Sequence, residues 1–243
     1  IRFKKFFLKF INMTLYFLKY CINESSRSEC TTLFGGMTTD DDKRDMGSDI
    51  DMLGRWSTVG SSSGFCICES QSASELHNWL LNWSNMATIE CYPVVDDNCA
   101  REIILGKEPT FKVDYSKVGD SAKDGESLFV IEYKFMDSKR SEGYNLFANM
   151  SEDYDLKDSG HNTCYGRWHN LGNGTGIAVC SSKSEKDLYS WAFNWKDLCT
   201  CVIQPVVNDD DCRNNIRLKP DFLSKHSQLL SKLYPKKGWL FGG

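Results

Sequence analysis

The chain has 243 residues, 41% of them hydrophobic and 26% charged, with a formal net charge of −4. This is globular composition. It excludes a chain disordered throughout, a collagen-like or proline-rich chain, and a strongly basic nucleic-acid binder. No apolar run reaches the roughly 18 residues that span a bilayer.

Residues 1–12, IRFKKFFLKFIN, mix basic and apolar residues. They read as a non-native or disordered extension before the fold. The competing reading is the stump of a signal or membrane-surface segment. The first reading leaves no targeting signal and places the protein in the cytoplasm, with secretion or an organelle left open. From Met13, MTLYFLKY is β-branched and aromatic, hence a first strand. Asp40–Asp45, DDDKRD, reads as a solvated charged loop that fits no calcium-loop pattern. Trp79 and Trp83 lie four apart on a helix, where packing on a sheet outweighs a cofactor platform.

Past Leu128 the chain repeats itself at an offset of 112–113 residues. LYFLKYCINESSRSE at Leu15–Glu29 returns as LFVIEYKFMDSKRSE at Leu128–Glu142. Gly54-Arg55-Trp56 returns as Gly166-Arg167-Trp168, and Trp79, Asn82 and Trp83 return as Trp191, Asn194 and Trp195. Pro93-Val94-Val95 returns as Pro205-Val206-Val207 and, after a one-residue slip, Cys99 and Ile103 as Cys212 and Ile216. The period is too long for a solenoid unit. In the second copy Ser127–Phe135 reads as a strand, Asp137–Ser151 as a helix, Asn162–Leu171 and Gly176–Cys180 as strands. A helix capped by Ser184 follows, then a strand over Cys201–Val207. The order β-α-β-β-α-β is the ferredoxin-like split βαβ, so the fold class is α+β.

The helix and closing strand, SWAFNWKDL at Ser190–Leu198 and VIQPVV at Val202–Val207, with CYGRW at Cys164–Trp168, carry a resemblance. Both copies resemble a family of short, uncharacterised bacterial ferredoxin-like domains of the dimeric α/β-barrel type. Arg55 and Arg167 stand where that family usually has serine, and the first copy lacks the Asp-Leu pair. The resemblance implies that the two copies pair sheet to sheet as an intramolecular barrel; it implies no activity. The expected layout is therefore an extension over 1–12, repeats over 13–105 and 127–219, a linker over 106–126, and a tail over 220–243. Phe222, Leu223, His226, Leu229, Leu230 and Leu233 form one face of a tail helix expected to cap the barrel, with a loose end after it.

Strand alternation sorts Leu128, Val130, Glu132 and Lys134 onto a mixed face opposite Phe129, Ile131, Tyr133 and Phe135. The mixed faces are expected to line the space between the sheets, with Glu132, Arg167 and His169 at its polar centre. Lys19, Arg55, Glu90, Tyr92 and Gln204 are the further ligand-binding candidates. Arg is the fork for a carboxylate, and His169 could act as a base or a haem ligand. Such a site would take a small anionic or aromatic ligand. A salt-bridged interface without a ligand competes with it. Eleven cysteines sit mostly in apolar runs and read as reduced thiols; Cys68 with Cys99 and Cys180 with Cys212 are the pairs to test for disulfides. Cys66-x-Cys68 and Cys199-x-Cys201 lack a second pair at zinc spacing, so neither metal nor cofactor is expected. Three readings stay open: a small-molecule-binding or structural module, a cofactor-independent monooxygenase or isomerase, and a protein-interaction scaffold. The expected state is a monomer or loose oligomer.

Overall fold

Each repeat opens with a strand, two helices and a second strand. The computed structural model describes residues 13–109 and 111–233, so the readings of residues 1–12 and of the chain end lie outside the described residues. Repeat one runs β1 (Thr14–Ile22), α1 (Arg27–Gly36), α2 (Thr39–Met46), β2 (Ile50–Thr58), β3 (Ser63–Ser70), α3 (Ala73–Trp83), β4 (Ala87–Pro93), β5 (Val95–Asp96) and α4 (Asp97–Leu105). Repeat two runs β6 (Ser127–Phe135), α5 (Arg140–Asn149), α6 (Glu152–Ser159), β7 (Thr163–Asn170), β8 (Thr175–Ser182), α7 (Glu185–Asn194), β9 (Cys199–Asn208) and α8 (Asp209–Arg217). A last helix, α9, spans Phe222–Leu233.

The strands form one sheet in the order β4-β1-β3-β2-β9-β6-β8-β7-β5. Its two outermost strands, β4 and β5, are parts of one segment broken only at Val94, so the sheet closes on itself as a barrel. Closure uses the same device twice. The end of β9 pairs with β2, Trp56 opposite Asn208, and β5 pairs with β7, Trp168 opposite Asp96. The fourth strand of each repeat is thus shared between both halves. The barrel interior is filled, not hollow: Trp56, Phe65, Ile67, Val130, Trp168, Ile177 and Val179 are buried there together. Each tryptophan folds back over the glycine two residues before it, and a Cβ at Gly54 or Gly166 would overlap that ring. This is why the Gly-Arg-Trp triplet recurs.

The segment DDDKRD is not a loop. It forms α2, started by a capping box between Thr38 and Asp41, and α6 is its counterpart. The reason lies in the tryptophans. Trp79 Nε1 and Trp83 Nε1 donate to Asp45 Oδ2 at 2.7 and 2.8 Å, and Asn82 Nδ2 donates to its Oδ1 at 3.0 Å. In repeat two Trp191, Trp195 and Asn194 meet Asp158 in the same way. One carboxylate therefore clamps the sheet-covering helix. Replacing Asp45 with alanine is expected to cost about 2–3 kcal/mol of unfolding free energy, since the indole N–H groups of buried Trp79 and half-buried Trp83 lose a charged acceptor. Denaturant unfolding followed by tryptophan emission would register it; a change under roughly 0.5 kcal/mol would remove the clamp from the account.

Two further expectations change. Helix α9 does not cap the barrel. It lies across α1, where Gly35 and Gly36 leave a flat patch for Phe222 and His226, stacked at 5.4 Å, while Leu223 stays exposed. The barrel end is covered instead by the linker, whose Tyr115, Val118 and Ala122 pack on the interior. The slip between Cys99 and Cys212 is absent. Caps Asp96 and Asn208 and helices α4 and α8 coincide at a constant offset of 112, which pairs Arg101 with Arg213. No disulfide joins the described cysteines; Cys68 is buried under α3 while Cys99 is exposed. No helix of the described residues is long and apolar enough to cross a membrane.

Candidate functional site

Five of the predicted site residues meet at the mouth of the barrel. Lys19 Nζ lies 2.8 Å from both Glu132 carboxylate oxygens, and Gln204 Nε2 donates to Glu132 Oε1 at 3.0 Å. The Tyr92 hydroxyl donates to Glu90 Oε2 at 2.8 Å beside them. All five border an open basin of about 440 Å³. Lys19 and Glu132 are counterparts in the two repeats, so their ion pair sits where the halves meet. These groups satisfy one another and close a dry core.

Arg167, His169 and Arg55 are elsewhere. The inward face of β7 belongs to Trp168, the bulkiest apolar residue of that strand, so its neighbours Arg167 and His169 point to the helix side, away from Glu132. The expected triad of Glu132, Arg167 and His169 does not assemble. Arg167 instead donates through Nε and Nη2 to Asp97 Oδ2 at 2.8 and 2.5 Å, and its Nη2 lies 2.9 Å from Asp155. His169 Nε2 bonds Asp97 Oδ1 at 2.5 Å, and its Nδ1 meets the Tyr133 hydroxyl. With both ring nitrogens engaged, His169 has none to offer a haem iron. Arg55 repeats the pattern, 2.8 Å from Asp209 and 2.5 Å from Asp42.

Each cluster crosses the repeat boundary. Asp97 comes from repeat one and serves repeat two; Asp209 does the reverse. The same helices send Arg101 to the carbonyls of Phe147 and Met150, and Arg213 to those of Phe34 and Met37, capping the ends of α5 and α1. The sequence reading missed these aspartates and arginines, although their recurrence at 112 was present in it; the assumed slip hid them. Burial pushes the Asp97 pKa up, but the Arg167 charge and the His169 contact outweigh it and hold the carboxyl well below the usual range.

Between sheet and helices lies a second opening. In repeat one, Leu18, Phe34, Trp79, Trp83 and Ile89 surround a cavity of about 330 Å³ whose floor carries Tyr20, Ser57 and Arg55. The equivalent space in repeat two is only about 80 Å³. At matching positions, Ile22 becomes Phe135, Thr31 becomes Tyr144 and Ser57 becomes His169, and the larger side chains fill the volume. The Tyr20 hydroxyl, which lies over Gly64, and Ser57 Oγ share one hydrogen bond of 3.1 Å, and the second proton of the pair has the sulfur of Cys212, a weak acceptor, beside it. Burial pushes the pocket thiols up, Cys66 to about 12 and Cys30 to about 11, and both stay protonated at neutral pH. Arg55 and Arg213 balance Asp42 and Asp209, so the floor carries no net charge. No group of three or more described His, Cys, Asp or Glu side chains could hold a metal ion.

A family model described as Domain of unknown function (DUF3303) matches the chain twice, over residues 18–108 and 127–217. Among curated proteins there is no match. Among solved structures, a variant of the chlorite dismutase of Candidatus Nitrospira defluvii, in complex with cyanide, is similar at 9% identity, with a TM-score of 0.51 over 83% of this chain and 94% of that one. A provisionally assigned chlorite dismutase is similar at 7% identity and a TM-score of 0.51, over 84% of this chain and 100% of that one. At such identities the likeness concerns the fold alone, the dimeric α/β barrel.

Proposed function

The chain belongs to the family described as Domain of unknown function (DUF3303), in two tandem copies, and from that premise we propose that it is a small-molecule-binding protein whose site is the repeat-one pocket. The observation that carries this reading is the contrast of about 330 with about 80 Å³ at equivalent places in one chain. The larger pocket falls in the size range of ligand sites and is mostly apolar with a few convergent polar groups.

The ligand class follows from the floor. Four of the five Arg55 N–H groups are held by two carboxylates that already balance its charge, so a carboxylate ligand would have to compete with a buried ion pair to bind it. The second hydroxyl proton of the Tyr20–Ser57 pair has only the weak sulfur acceptor of Cys212, and a ligand oxygen would be a better one. An uncharged, largely aromatic or aliphatic molecule with one carbonyl or hydroxyl oxygen meets both conditions. Of the anionic and aromatic alternatives, the geometry supports the aromatic one. Catalysis at the Asp97–His169–Tyr133 chain is less well supported, because that chain faces the small space.

Calorimetric titration with acetylnaphthalene and with its charged analogue naphthoate tests the reading. The ketone is expected to bind and the carboxylate to bind about tenfold more weakly or worse. Writing the repeat-two side chains into repeat one, as Ile22→Phe, Thr31→Tyr and Ser57→His together, is expected to abolish ketone binding while leaving the circular dichroism spectrum unchanged. Equal binding by the filled variant, or no ketone binding by the native chain, would sink the proposal.

A further inference from the structure

The linker does more than join the repeats. Its residues Phe111, Val113 and Tyr115 occupy a groove of repeat two in alternation. The Phe111 ring lies over the Arg101 guanidinium, 4.5 Å from its centre. Val113 is clamped through its backbone: its N–H donates to Asn98 Oδ1 at 2.8 Å and its carbonyl accepts from Asn98 Nδ2 at 3.2 Å. The Tyr115 hydroxyl accepts from the Asp97 N–H at 2.8 Å and donates to the Arg167 carbonyl at 3.3 Å, with its ring against Trp168 at 5.9 Å. A side-chain amide that reads both backbone groups of one residue recognises an extended chain, as strand addition does.

Gly166 also lies against the Tyr115 ring, and the barrel's two-fold relation places a counterpart of each of these contact residues in repeat one, that of Trp168 being Trp56, buried beneath. Gly166, Arg167, Asp97, Asn98 and Arg101 correspond to Gly54, Arg55, Asp209, Asp210 and Arg213. Those five residues line a single cavity of about 660 Å³, walled on one side by Gly119 of the linker itself and on the other by Met37, Met46 and Met52. It shares only Arg55 with the small-molecule pocket. Methionines make an adaptable apolar wall.

We propose that this groove binds an extended segment of a partner protein. The segment carries an aromatic residue, a β-branched residue and a second aromatic at alternating positions, the first over Arg213 and the last against Gly54. The occupant's chemistry is the one that the linker displays in the matching groove. Asp210 replaces Asn98 and can accept the backbone N–H, but it cannot donate to the carbonyl, so the clamp keeps one of its two hydrogen bonds.

The probe is a fluorescein-labelled peptide of the linker sequence 108–116, EPTFKVDYS, titrated by anisotropy into the full chain. Saturable binding is expected, with a scrambled peptide failing to bind. Asp210→Asn, which restores the second hydrogen bond, is expected to tighten binding about fivefold. A Lys43→p-benzoylphenylalanine variant, irradiated with peptide and digested, is expected to yield a crosslink to the peptide. Absence of saturable binding, equal binding of the scrambled peptide, or no change on Asp210→Asn overturns the proposal. So does a crosslink to residues 1–12 of the same chain that the peptide does not displace, which would assign the groove to the chain's own segment.

Discussion

Asp97→Ala is expected to lower the unfolding free energy by about 3–5 kcal/mol, the range for removing one partner from a buried ion pair. Asp97 is 0% exposed and holds Arg167 through two hydrogen bonds and His169 through a third. Its loss leaves a buried guanidinium with only Asp155 beside it. The effect also crosses the repeat boundary, because Asp97 belongs to α4 of repeat one and Arg167 to β7 of repeat two. Asp209→Ala should cost less, since that side chain is 30% exposed and water can replace it. Guanidinium unfolding of the three proteins gives the order; a loss under about 1 kcal/mol for Asp97→Ala would contradict it.

The same variant has a pH signature. The folded pKa of Asp97 is depressed, so its contribution is fully present above the ordinary unfolded carboxylate value near 4 and is lost as pH falls through the folded value. The gap between native chain and variant should therefore be constant from about pH 5 upward and shrink in acid. A gap that shrinks instead toward alkaline pH would mean that another group carries the effect.

Trp56→Ala is the second large expected loss, again about 3–5 kcal/mol, from a vacated volume at the centre of the barrel. Trp56 is 0% exposed and packs on Trp168 with ring centroids 6.3 Å apart. Trp56→Phe should cost much less than alanine. The Trp56 Nε1 is buried without a hydrogen-bond partner among the described residues, so phenylalanine removes an unsatisfied donor along with part of the ring. Because this core is built from both repeats, calorimetry should give one transition for the native chain, with calorimetric and van't Hoff enthalpies equal. Two resolved transitions would mean that the repeats fold separately.

The repeat and the alternation within it made most of the fold legible. The faces of β1 and β6 follow from period two, and Lys19, Glu132, Gln204, Glu90 and Tyr92 gather at the mouth because they share the inward face. Arg167 and His169 fall on the other side because charge does not mark the interface between the sheets. The dry interior selects tryptophan instead, and the arginines go where Asp42, Asp97, Asp155 and Asp209 can pair them. Helix α2 was missed because TDDDKRDM has no apolar stripe; its value lies in two inward carboxylates, Asp42 and Asp45, and only the Thr38–Asp41 cap signals it. The repeat-one cavity was invisible for another reason. No residue marks it, and it emerges from what Ser57, Ile22 and Thr31 fail to fill.

Sharing of the fourth strands has an evolutionary consequence. A lone repeat would expose two complementary edges and close by pairing with a copy of itself. In such a homodimer every substitution is made twice, so a residue that fills one pocket fills both. Joining the copies covalently removes that coupling. One half could then take the Asp97–His169–Tyr133 contacts and become a rigid support, while the other kept its opening. Within one polypeptide the two halves are free to differ at equivalent positions, as their cavities of about 330 and 80 Å³ do.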